Sequence, residues 1–242
     1  MDAPTVALSF DDGPGPSTGR LLDVLARYAV PATFFLLGRN LQGEALGGDG
    51  ERALELATRA AREGHLLGNH TMTHARELPP EELLAEVVSC DAIARGCYLR
   101  AGRTDEPAIP VRLPYGPFRP DGQRSVDALE AAGRPHCHWT GDPQDWRPER
   151  TAAEIVELVI AHADKAWQHQ RTPVVLLHDA GLTSEEGGVL REATVEAVEQ
   201  LCGRMRARGA RFLTLWQCDP RRYRLPGGRR DRPPGPAAAS GT

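Results

Sequence analysis

An α/β fold with a parallel sheet is predicted for this chain on three observations. Short apolar, β-branched runs alternate with helical patterns of about ten residues or more, the signature of strand–helix–strand units. Hydrophobic residues make up 40% of 242, enough for a substantial core in one large domain. Acidic, histidine and arginine side chains gather where predicted strands end, the rim on which such folds place their chemistry.

The elements follow in order. Thr5 to Phe10 (TVALSF) is a short apolar run stopped by Asp-Asp-Gly-Pro, so it reads as a buried strand ended by a turn. Ser17 or Thr18 caps a helix whose apolar positions Leu21, Leu22, Leu25 and Tyr28 recur at helical spacing, and Pro31 marks entry to a strand over Ala32 to Leu37. Gln42 to Gly50 is Gly-rich and reads as a surface loop, followed by a helix near Glu51 to Glu63, a turn at Gly64 and a short apolar piece at Leu66-Leu67. A longer helix is predicted from Pro80 to Leu99. Further strands are expected near Ile109 to Leu113, His136 to Trp139, Val174 to Leu177 and Arg211 to Leu215, with helices near Gly122 to Ala132, Thr151 to His169 and Val189 to Arg208. Periodicity alone leaves a closed barrel and an open doubly wound sheet equally compatible. Residues 1–218 are read as one catalytic domain and 219–242, rich in Pro, Gly and Arg, as a disordered tail.

A formal net charge of −4 gives no electrostatic footprint for nucleic acid. No apolar run approaches the roughly 18 residues of a spanning helix, so no membrane association is expected. Met1 to Pro4 lack a charged region followed by an apolar stretch, which favours a cytoplasmic protein over a secreted one whose leader was removed. Five cysteines with no CxxC pair read as packed free thiols, and nothing marks an obligate protein partner.

Five segments carry the chemistry: Ser9-Phe10-Asp11-Asp12-Gly13-Pro14, His70-Thr71-Met72-Thr73-His74, Arg112-Leu113-Pro114-Tyr115, Asp142-Pro143-Gln144-Asp145-Trp146 and Leu176-Leu177-His178-Asp179. His70 and His74 are four apart, so on a helical turn both imidazoles project to one side and can share a metal ion. No Glu follows His70, as a helical metalloprotease motif requires, so the third ligand and the base must come from elsewhere. Adjacent carboxylates at a strand end repel, and Asp11-Asp12 therefore implies a cation, a buried arginine or a solvated turn. With the histidine pair, one carboxylate completes a two-His, one-carboxylate site and the other is free to take a proton from water.

The five segments, in this order, resemble the motif set of the polysaccharide deacetylases, carbohydrate esterase family 4, also called the NodB homology domain, over about residues 5 to 216. The resemblance implies a distorted (β/α) barrel of the polysaccharide deacetylase type, with about seven parallel strands. It implies Asp12, His70 and His74 as ligands of a divalent metal, zinc foremost with cobalt as an alternative. It implies Asp11 as general base and His178 as general acid, with the backbone N–H of Tyr115 stabilising the oxyanion. Arg112 is expected to pair with Asp11 and to be held in turn by Asp145, while Trp146 and Leu176 form apolar walls around the acetyl group. The implied reaction is hydrolysis of the acetamido group of an N-acetylated sugar or related small amide. A cell-wall polymer such as chitin, peptidoglycan or acetylated xylan is the alternative substrate, and a non-catalytic carbohydrate-binding protein the alternative class. Outside the motif set, His65 is expected to hydrogen-bond structurally, Asp142 to make a turn, and Asp179 either to orient the acid or to make a turn.

Overall fold

A computed structural model describes residues 3–103, 108–117, 122–181 and 190–218. Its elements are β1 (Thr5–Asp11), α1 (Thr18–Arg27), β2 (Thr33–Leu36), α2 (Gly38–Leu41), α3 (Gly50–Arg62), β3 (Leu66–Asn69), α4 (Pro80–Arg100), α5 (Gly122–Ala131), α6 (Ala152–Gln168), β4 (Val174–His178), α7 (Glu192–Ala207), β5 (Arg211–Phe212) and α8 (Leu215–Cys218). The expected tail and the start expected for the last long helix, at Val189, lie outside the described residues.

Every strand pairing is parallel, in the order β3-β2-β1-β4, with β5 beside the start of β1. Five strands are formed among the described residues, two fewer than expected. The two expected strands near Ile109–Leu113 and His136–Trp139 are reduced to isolated bridges, Asn69 with Val111 and Val111 with His136. Prolines explain the loss. Pro110, Pro114 and Pro135 have no N–H to donate to a ladder, so pairing cannot extend past one rung. A third bridge, Gly141 with Val175, joins the same stretch to β4, so the strands and bridges form a closed circuit: a distorted barrel.

Side-chain alternation divides this wall into two faces. Val6, Leu8 and Phe10 of β1, Phe34 and Leu36 of β2, Leu67 of β3 and Val175 and Leu177 of β4 face outward into the main core, where they pack with α1, α3, α4, α6 and α7. Burying such side chains contributes about 1.5–3 kcal/mol each. The alternate residues point inward. Ala7, Phe35, Leu66 and Cys137 form a small inner cluster, above which lie Ser9 and, at the ends of their strands, Asp11 and His178.

Local chemistry sets the helix ends. Asp49 caps α3 by accepting from the Arg52 N–H, Pro80 opens α4, and Thr151 with Glu154 forms a reciprocal capping box on α6. The segment read as a Gly-rich loop contains a 3₁₀ turn, Glu44–Leu46, with Ala45 buried. None of the five cysteines forms a disulfide, and four are buried. No helix among the described residues is long and apolar enough to cross a membrane.

Candidate active site

Asp11 and His178 are register partners at the ends of β1 and β4, so the ladder between these strands sets them side by side. Asp11 is buried, and its Oδ1 accepts from Arg112 Nη1 at 2.7 Å. Arg112 is fully buried; it also donates to Ser9 Oγ and the Cys137 carbonyl, and its guanidinium lies 4.0 Å from the centre of the Phe35 ring. That stacking requires glycine behind the ring. A Cβ at Gly68 would sit 2.6 Å from Phe35 Cδ1, too close for any larger residue.

The expected brace between Arg112 and Asp145 is not made. Asp145 instead serves His178: its Oδ1 lies 2.7 Å from His178 Nδ1, and its Oδ2 accepts from the His178 N–H and Thr194 Oγ1. The cause is position, since Asp145 follows an Asx turn in which Asp142 Oδ1 accepts from the Gln144 N–H, and that turn aims it at the end of β4. Arg112 is compensated by Asp11 alone among the described residues, with serine and carbonyl oxygens around it. Burial works against charging His178, but the Asp145 carboxylate, with Asp12 and Asp11 beyond it, raises its pKa to about 9.

Asp12, His70 and His74 converge, their ligand atoms all within 4.8 Å of one another. Asp12 Oδ1 lies 3.4 Å from His70 Nε2 and 3.2 Å from His74 Nε2. The histidines are not on a helix. Both follow β3 in an irregular loop, with Thr71 and His74 at positive φ, and this corrects the helical-turn expectation. His70 Nδ1 lies 2.8 Å from the Arg112 carbonyl, which can only accept, so Nδ1 carries a proton and Nε2 is the ring atom on the Asp12 side. Burial opposes ionisation of Asp12, yet the two imidazoles hold its carboxyl well below the usual range.

This donor set fits a divalent metal. Two imidazoles and one carboxylate leave open positions, as catalytic zinc sites do, and the buried Asp12 Oδ1 has no hydrogen-bond donor among the described residues. The bond from His70 Nδ1 to a carbonyl is also what metal-ligating histidines make with their other ring nitrogen.

Four of the five segments pass through left-handed backbone at a residue other than glycine: Asp12, Thr71 and His74, Tyr115, and Gln144. Such positions cost on the order of 1–3 kcal/mol each and gather where function over-determines the backbone. The remaining two, Ala29 and Gln170, follow the ends of α1 and α6.

At the rim, Tyr115 and Trp146 are 43% and 46% exposed, so Trp146 is no core residue. The Tyr115 ring packs 4.6 Å from His74 and Leu176 lies buried on the His178 face of β4. His65 and His136 are structural. His65 Nδ1 accepts from the Ala32 N–H and burial lowers its pKa to about 4. His136 Nδ1 accepts from the Leu113 N–H; burial, then His138 and Arg112, push its pKa to about 3. Asp179 does not orient the acid: its Oδ2 accepts from Thr18 Oγ1, which accepts in turn from the Gly15 N–H, and it anchors the loop after Asp12. A Cβ at Gly13 would fall 2.3 Å from Asp179 Oδ2, which explains the glycine there. Burial raises the Asp179 pKa to about 7.

The sequence shows Ser9 within a motif but not its bond to Arg112, and gives no role to Glu86 or Asp91. A signal existed for Glu86 and Asp91: acids at positions flanking the apolar stripe Leu83, Val87, Cys90, Ala94 of α4.

Comparison with known proteins agrees with the geometry. The family model described as polysaccharide deacetylase matches residues 1–140. A chitooligosaccharide deacetylase from Rhizobium leguminosarum bv. trifolii is 33% identical over 227 residues, covering 89% of this chain and 92% of the relative. A peptidoglycan-N-acetylglucosamine deacetylase from Bacillus cereus is 30% identical, covering 87% of this chain and 85% of the relative. Among solved structures, a polysaccharide deacetylase from Bacillus cereus superposes with TM-score 0.67 at 26% identity, covering 87% of this chain and 91% of that one. With its motif residues assembled on one rim of a distorted parallel barrel, this chain belongs to the polysaccharide deacetylase family.

Proposed function

We propose that the protein is a metal-dependent deacetylase that removes the acetyl group from N-acetylglucosamine units of a short oligosaccharide. The carrying observation is the pairing of Asp11 with His178 beside the Asp12, His70 and His74 donor set. A divalent metal on those three residues, zinc being the best match to the donors, supplies Lewis-acid polarisation of water and of the acyl oxygen.

The chain's own groups supply the proton transfers. Asp11 commits Oδ1 to Arg112, which fixes the plane of the carboxylate and leaves Oδ2 to take a proton from the attacking water. With a pKa near 9, His178 is protonated at neutral pH, and Asp145 holds it on Nδ1 so that Nε2 carries the proton for the departing amine. The Tyr115 N–H is the expected oxyanion donor. Leu176 excludes water beside the acetyl methyl, and the half-exposed Tyr115 and Trp146 offer flat apolar faces to sugar rings. The names of the relatives support an N-acetylglucosamine substrate.

Acetate release by the zinc-loaded protein tests this against N-acetylglucosamine, its oligomers, peptidoglycan fragments, acetylated xylan and small cyclic amides. Release from the oligomers, abolished in Asp12→Ala, is expected. Turnover of cyclic amides alone, or full activity in Asp12→Ala, would refute it.

A further inference from the structure

Resting on the metal-centre reading above, we propose that Glu86 of α4 is a positioning residue for the metal-binding histidines. The three residues between His70 and His74 belong to no helix or strand, so no ladder satisfies their backbone. Every one of their polar backbone groups nevertheless has a partner. The Thr71, Met72 and Thr73 carbonyls accept from the Gly38 N–H, the Arg39 N–H and Arg39 Nη1. On the donor side, the Thr71 N–H bonds to Asn69 Oδ1 at 2.8 Å, and the Met72 and Thr73 N–H groups both bond to Glu86 Oε2, at 3.0 and 3.1 Å. Thr73 Oγ1 donates to the other oxygen, Glu86 Oε1, at 2.6 Å.

Consecutive N–H groups converging on one oxygen form an anion-binding nest, here filled by a side chain from another element. Among the described residues Glu86 has no ion pair with a cation, so its carboxylate is given over to this loop. Without it, two adjacent N–H groups lose their acceptor next to a His74 already at φ 57°. The loop then relaxes, and His74 Nε2 leaves the place, 3.2 Å from Asp12 Oδ1, where it completes the donor set. Asn69 strengthens the same frame, being held by Asp91, which is held by Arg134. Glu86 touches neither metal nor substrate and acts through His74.

The test is zinc affinity by competition with a chromophoric chelator, with circular-dichroism melting of the metal-free proteins alongside. Glu86→Ala is expected to weaken zinc binding about 10–100-fold, the range for groups that orient metal ligands, with the metal-free melting point moved by only a few degrees. Glu86→Gln, with one acceptor oxygen, should fall between and also serves if the alanine variant does not fold. The exposed Glu82→Ala on the same helix should match the wild type. Cobalt loading adds a visible spectrum, expected to change in Glu86→Ala. Unchanged affinity and spectrum, or a loss confined to the melting point, would overturn the role of Glu86. Failure of the wild-type protein to bind zinc would overturn the metal centre, and the proposal with it.

Discussion

His178 ends β4 in a regular ladder beside Asp11, whereas His70 and His74 leave β3 into a loop with two residues in left-handed backbone. The proposed proton-transfer pair is thus placed by sheet hydrogen bonds, which any sequence compatible with a parallel strand can make. The proposed metal ligands are placed by the Asn69 and Glu86 side chains and the Arg112 backbone carbonyl, against local strain. Ladder positions should tolerate changes near them, and loop positions should not.

Metal removal probes that contrast most severely. Dialysis against a strong chelator should reduce acetate release to background, with zinc or cobalt restoring it, and His74→Ala should be refractory to restoration. Next in size, Asp11→Asn and His178→Ala should each lower kcat about 10²–10⁴-fold while zinc binding in the chelator competition stays within a few-fold of wild type. If either variant loses the metal, the two sides of the cleft are not separately built.

A smaller effect concerns pH. On the proposed mechanism activity requires protonated His178, so kcat/KM should fall as pH rises through about 9. In Asp145→Asn the largest raising influence is gone, and that limb should move toward the ordinary value of 6.5. The stability linkage has the same sign. A raised histidine pKa contributes stability that is fully present below about 6.5 and is lost as pH rises through about 9, so the wild-type advantage over Asp145→Asn in urea unfolding should shrink over that window. Smallest is strain relief: Gln144→Gly should leave stability within about 1 kcal/mol of wild type, because relief at φ 56° offsets the added freedom of the unfolded chain.

The sequence displayed the reacting groups because each of the five segments pairs a strand or turn signal with an ionisable side chain, and these assemble on one rim. What it hid is long-range. The bond from Asp145 to His178 spans 33 positions and depends on an Asx turn whose direction no local pattern encodes. The strands at Val111 and His136 looked complete because apolar runs were visible, while flanking prolines limited the pairing actually made. Histidines four apart fit a helix and a left-handed loop alike, and the periodic rule chose the commoner of the two.

One rung of the barrel wall acts as a molecular caliper. Adjacent strands keep about 4.8 Å between partners, so the span from Asp11 to His178 is inherited from backbone geometry. Descendants of such a scaffold can alter the metal loop, and with it metal choice or affinity, without changing the distance over which a proton is taken from one side of the scissile bond and delivered to the other. Substrate range is then free to drift at the rim, around Tyr115 and Trp146, while the reaction itself stays fixed by the sheet.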